Sequence, residues 1–279
     1  MSHNLIELAC LWEATVPKPG NVHPGASFAD TTYDDFVRSA RAIGPVFTRA
    51  ADLGTGELVL EAVRATRAAV GKNTNLGIIL VLAPLAQGKD EAGVARVLQS
   101  LTVRDAELVY EAIRLASPGG LGSAENQDVR NLPTVTLLEA MRLGAERDLI
   151  ARQYVTGFKD LFSLLLPALE SALAESGRES PSQRWQPVQQ AFLIGLATLG
   201  DTLIARKCGL AVMQEAQRRA QHVLEAGWPQ RLAGQRALVE LDDWLRSEGN
   251  RRNPGTMADL LAGAIYLALC RGTMMAALP

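Results

Sequence analysis

The stretch "GIILVLAPLA", residues 77–86, decides the fold class. It is the one run in the chain that could form a buried strand, and periodicity alone does not separate a short apolar strand from a buried helix. Its apolar pattern continues through Ala83 and Leu85, past Pro84. That length favours a helix, kinked at the proline.

With that stretch helical, nothing else supports a sheet. Segments 4–16, 33–53, 55–70, 75–87, 90–101, 104–116, 133–151, 157–175, 185–200, 202–226, 230–248 and 256–276 place Leu, Ile, Val and Ala on one face at helical spacing. β-Branched runs are short. The expectation is an all-α fold, a compact domain of roughly ten to twelve helices spanning residues 1–279. Thr32 with Asp35, and Thr256 with Asp259, have the spacing of capping boxes. The flexible stretch is expected at "AESGRESPSQRWQP", residues 174–187.

Composition narrows the class. A chain of 279 residues with 48% apolar and 21% charged residues reads as an ordinary globular protein. A formal charge of −2 argues against nucleic acid as a partner. Cys10, Cys208 and Cys270 are too few and too scattered for a disulfide framework or a zinc pattern. No run reaches the length of a membrane span and the N-terminus has no signal-peptide pattern, so a cytoplasmic protein is expected. The oligomeric state stays open, a homodimer among the options.

Five polar stretches interrupt the helical pattern. "EATVPKPGNVHPGASFAD", residues 13–30, is a loop shaped by prolines and glycines. "GKNTNLG", residues 71–77, precedes an apolar helix whose start would favour phosphate. "EAMRLGAERDLIARQY", residues 139–154, interleaves acids and bases, with Asp148 and Arg152 spaced as a helix-face pair. "GDTLIARKCG", residues 200–209, sets Asp201, Arg206 and Lys207 in an apolar context. "GNRRNPGTMAD", residues 249–259, puts Arg251 and Arg252 before a helix start where Thr256 could be either a cap or a ligand. Polar groups are costly to place in apolar surroundings unless they serve a shared purpose, so the five stretches are expected to converge on one cleft.

Together these stretches resemble the triphosphoribosyl-dephospho-CoA synthase family, the enzymes that prepare the prosthetic group of citrate lyase and malonate decarboxylase acyl carriers. Glu13 and the run Pro17 to Gly20 match the family's "E…TPKPG" opening. Gly71, Asn73, Thr74 and Gly77 match its Asn-Thr segment, and Thr136 to Met141 with Arg147, Asp148 and Tyr154 match "TLLEAM…A.RD.IA.QY". "D..IARK.G" is matched by Asp201 to Gly209 and "NPGT.ADL" by Asn253 to Leu260. The chain departs at Ser27, where the family commonly has His, and at Asn75 and Leu76, where it commonly has His and Lys.

The resemblance implies transfer of the 5-triphosphoribosyl group of ATP to the 2′-hydroxyl of 3′-dephospho-CoA, with release of adenine. The departures leave open another coenzyme-type acceptor, as in tetrahydromethanopterin biosynthesis, another phosphoribosyl donor, or a non-catalytic nucleotide-binding protein. The reaction passes through an oxocarbenium-like state that benefits from a nearby anion and a base, while a triphosphate calls for cations, helix starts and Mg²⁺. By type, Asp30 and Asp148 are the candidates for base or metal roles, with Glu13 and Asp201 behind them. Lys18, Arg147, Arg206, Lys207 and Arg251 are phosphate candidates, and Asn21, Asn73, Thr74, Asn253 and Thr256 are hydrogen-bonding ones.

Overall fold

The computed structural model describes residues 4–117, 127–175 and 181–278, the side chains of 181–183 excepted. Among them the deciding stretch is helical. It lies within α4, Leu76–Gly88, where Leu76 and every residue from Ile78 to Leu85 are buried. Pro84 sits inside the helix and cannot donate to the carbonyl of Leu80. That carbonyl instead accepts from the Tyr154 phenol at 2.7 Å.

The other elements follow in order: α1 Leu5–Thr15, α2 Tyr33–Phe47, α3 Thr55–Val70, then, after α4, α5 Glu91–Gln99 and α6 Val103–Ala116. Next come α7 Leu137–Gly144, α8 Leu149–Thr156 and a π-helical turn, Leu161–Leu165, that runs into α9 Leu166–Glu175. The chain closes with α10 Pro181–Leu199, α11 Thr202–Cys208, α12 Leu210–Glu225, α13 Leu232–Arg246 and α14 Gly255–Arg271. No strand occurs among the described residues.

The core forms around α14, which packs on α1, α4, α9 and α10. Every residue of α14 from Thr256 to Leu269 except Asp259 is buried, as expected of a helix apolar all round. On one side α2 packs against α1 and α3, and α3 against α6; on the other, α12 packs against α10 and α13. Among the described residues no single helix is long and apolar enough to cross a membrane.

The fourteen described helices exceed the expected ten to twelve because two expected segments break. Segment 133–151 stops at Gly144, and a new helix starts after Asp148, whose Oδ1 accepts from the amides of Ile150 and Ala151. Segment 202–226 breaks at Gly209, whose φ of 93° lies outside the helical region. The capping box expected at Thr32 and Asp35 forms. The one expected at Thr256 and Asp259 does not. Pro254 is the N-cap, and the Met257 amide is taken by Asp201 Oδ2 at 2.8 Å. Of the stretch expected to be flexible, Pro181 to Pro187 is helical and 176–180 lie outside the described residues.

Candidate functional site

All five polar stretches border one cavity of about 720 Å³, next to the starts of α4, α8 and α14. Its walls include Glu13, Asn21, Asp30, Asn73, Thr74, Asp148, Arg206, Lys207, Arg251, Asn253 and Thr256 from the expected set. Lys18, Arg147 and Asp201 are not on the wall.

The prolines and glycines of the first loop fold it back on itself. Lys18 is turned inward, fully buried, bonding the Glu13 and Val16 carbonyls and pairing with Glu13 Oε1 at 3.1 Å. The expected phosphate ligand is therefore a counter-charge for a buried carboxylate. Gly20 has a φ of 73°, and a Cβ there would come within 2.9 Å of both Leu245 and Pro254. Its amide donates to Asp242 Oδ1 at 2.6 Å, which ties the loop to α13. Asn21 and the exposed Asp30 reach the cavity from the far part of the loop.

At the start of α4, Asn73 Oδ1 accepts from the Leu76 amide at 3.1 Å, and Thr74 shares a 2.6 Å hydrogen bond with Ser39. Asn75 is buried and its Oδ1 accepts from Thr66 at 3.0 Å. Two residues on, the backbone of Gly77 lies against Asp259: a Cβ there would stand 1.9 Å from Asp259 Oδ2.

Asp148 and Asp201 cap α8 and α11 with nearly the same backbone angles. Asp148 pairs with Arg206 through Oδ2, so its partner is not Arg152, which reaches Asp160 at 2.8 Å instead. The expected i, i+4 pair fails because Asp148 is the cap rather than a residue on the helix face. Asp201 is fully buried and joins two helices, accepting from Leu203 and Ile204 on α11 and Met257 on α14. Burial pushes its carboxyl up to about 6 against those three amides. It is an internal tie. Arg147 is exposed at the bend before α8.

Lys207 donates to Asn253 Oδ1 at 3.2 Å, and the Arg251 guanidinium donates to the Lys207 carbonyl at 3.1 Å. Partial burial holds the Lys207 ammonium below its usual range. Arg252 turns the other way. It lies 4.4 Å over the Trp244 ring, donates to the Trp244 carbonyl at 3.1 Å and pairs with Glu248. Of the two arginines only Arg251 lines the cavity. Thr256 is buried on the wall and does not cap α14.

In sequence Asp259 offers itself as the partner in a capping box. It lines the cavity, and its carboxyl makes no hydrogen bond or ion pair among the described residues. Burial, then the charges of Glu13, Asp201 and Asp148, raise it well above the ordinary carboxylate range. Its neighbourhood in "NPGT.ADL" was the available signal.

The cavity wall therefore carries charges of both signs. Arg206, Lys207 and Arg251 line it together with Glu13, Asp148 and Asp259, and the starts of α4 and α14 add partial positive charge. Neither α4 nor α14 is capped by the side chain of its N-cap residue. No three His, Cys, Asp or Glu among the described residues are placed to hold a metal ion. Asp148 has both oxygens engaged, by the α8 amides and Arg206, and Asp30 stands exposed.

Fold and cavity define an all-α protein that gathers opposite charges around one cavity. The chain belongs to the CitG family, ATP:dephospho-CoA triphosphoribosyl transferase, whose model matches residues 2–276. It is 29% identical over 209 residues to a "Probable 2-(5''-triphosphoribosyl)-3'-dephosphocoenzyme-A synthase" of Pseudomonas savastanoi pv. phaseolicola, covering 72% of this chain and 62% of that one. A protein of the same description from Stutzerimonas stutzeri is 27% identical over 273 residues, covering 90% and 84%. The chain thus spans just under two thirds of the first relative's length and most of the second's. A crystal structure of a "putative triphosphoribosyl-dephospho-coA synthase" from Archaeoglobus fulgidus superposes with a TM-score of 0.66 at 27% identity, covering 86% of this chain and 99% of that one.

Proposed function

We propose that the protein transfers the 5-triphosphoribosyl group of ATP to the 2′-hydroxyl of 3′-dephospho-CoA and releases adenine. The family description supports both substrates. The observation that carries the reading is the gathering of cations and carboxyl groups on the wall of one cavity. The triphosphate, as its Mg²⁺ complex, lies toward Arg206, Lys207 and Arg251, where charge-assisted hydrogen bonds hold phosphate oxygens. Mg²⁺ comes with the nucleotide, bound mostly through phosphates and water, and needs no protein cage. The ribose carbon then lies toward Glu13, whose carboxylate meets the developing positive charge. The cavity is large enough for a drug-sized ligand, within the roughly 300–1,000 Å³ common for such sites.

The test is detection of free adenine by mass spectrometry after incubation with ATP, Mg²⁺ and 3′-dephospho-CoA. Adenine and a ribosylated coenzyme in equal amounts are expected. Unchanged ATP and acceptor after prolonged incubation would overturn the reading.

A further inference from the structure

We infer that Asp259 donates the proton that adenine takes up as it leaves; this assignment rests on the transferase reading above.

Asp259 differs from the other acids of the site. Glu13 is paired with Lys18, Asp148 caps α8 and binds Arg206, Asp201 accepts three amides, and Asp30 accepts from the Thr31 hydroxyl at 3.1 Å. Asp259 has no such partner among the described residues. Nor does it serve the helix it belongs to, because it follows the first turn of α14 and Asp201 already holds the Met257 amide. A carboxyl placed at a cavity wall without a partner is costly in folding terms. Gly77 keeps its place open, since any Cβ at that position would collide with Oδ2.

The surroundings decide its protonation state. The charged or titratable groups acting on it are Glu13 and the Cys10 thiol from α1, Asp148 from before α8, and Asp201 and Arg206 from α11. Three carboxylates oppose one guanidinium, and burial adds to their effect. Burial and the neighbouring carboxylates thus favour the protonated form of Asp259, while Glu13 stands in an ion pair with Lys18. Two carboxyls with opposed environments divide the roles of acid and base.

The step balances. The C1′–N9 bond breaks with both electrons passing to adenine, and the Asp259 proton goes to the purine ring. The acceptor hydroxyl oxygen bonds to C1′, and its proton passes to the Glu13 carboxylate. Solvent then returns a proton to Asp259 and removes one from Glu13.

Two donors test the assignment: ATP and its 8-azaadenine analogue, whose base is the better leaving group and needs less protonation. With ATP, Asp259→Asn is expected to slow adenine release by about 10²–10⁴-fold, the usual worth of a general acid. With the analogue the loss should be at least about tenfold smaller. A variant rate within about threefold of wild type, or equal losses on both donors, would overturn the role. Should the variant fail to fold, the wild-type pH profile decides. The rate with ATP should fall as pH rises through the Asp259 titration, and the analogue should show a weaker fall. Identical falls count against the assignment. If the wild type releases no base from either donor, the transferase reading itself fails. Wild-type turnover with an unaffected variant removes only Asp259.

Discussion

Tyr154 and Leu80, 74 residues apart, share one hydrogen bond that Pro84 makes necessary. The phenol donates to the carbonyl that a proline four residues on cannot satisfy, deep in the core. Tyr154→Phe is expected to cost about 1–3 kcal/mol, the penalty of an unpaired buried carbonyl. Urea unfolding measures it. In a Pro84→Ala background, where the helix regains its own N–H, the same change should cost less. Equal costs in the two backgrounds would separate the phenol from the proline.

The two neighbouring arginines should behave differently. Arg251→Ala is expected to weaken ATP binding, by a factor that shrinks as salt screens the charge. Arg252→Ala removes contacts to Trp244 and Glu248, so it should lower stability by about 1 kcal/mol and leave affinity unchanged. Calorimetry at two ionic strengths, with a melting curve for each variant, checks both. An affinity loss at Arg252 larger than at Arg251 would place Arg252, not Arg251, at the ligand.

Asp201 gives a pH signature. Its carboxyl lies at about 6 in the fold, against an ordinary value of 3.8, with burial as the chief cause. A raised carboxyl favours the protonated fold, so its contribution is complete below the ordinary value and is lost as pH rises through about 6. Asp201→Asn stays neutral throughout. The stability of wild type relative to this variant should therefore decline between about pH 4 and 7. Asp201→Ala removes all three amide contacts and should cost about 2–4 kcal/mol at any pH in that range.

Gly77→Ala should separate folding from turnover. The new methyl would displace the Asp259 carboxyl, a side chain that is free to swing, so the loss of stability is expected to stay near about 1–3 kcal/mol. Adenine release should fall much further, about as far as in Asp259→Asn. Full activity in a well-folded Gly77→Ala protein would show that the close approach is incidental.

Much of the fold could be read before the structure. The limits of α3 agree with the periodic segment 55–70. The helix breaks were missed because Asp148 and Gly209 lie within continuing apolar periodicity, which reports a buried face but not a turn in the axis. The convergence of the five stretches was legible, since polar residues in apolar context need a shared purpose. Which side of each stretch faces inward was not. Lys18 and Asp201 look like ligands in sequence, yet burial turns one into a counter-ion and the other into a tie between helices. Arg147 lies outside because the bend before α8 carries it into solvent. Asp259 escaped notice because a Thr three residues ahead offered an ordinary capping explanation.

One helix serves two masters here. α14 is core along nearly its whole length and carries Thr256 and Asp259 on the cavity wall. Attempts to harden the protein against heat by repacking α14 would move the site as well, so gains in melting temperature there should come with lost turnover. Leu232 and Val239 of α13, 69% and 59% exposed, offer a separate place to work. Polar replacements at those two positions should improve solubility without touching the wall, giving the engineer a surface to edit and a helix to leave alone.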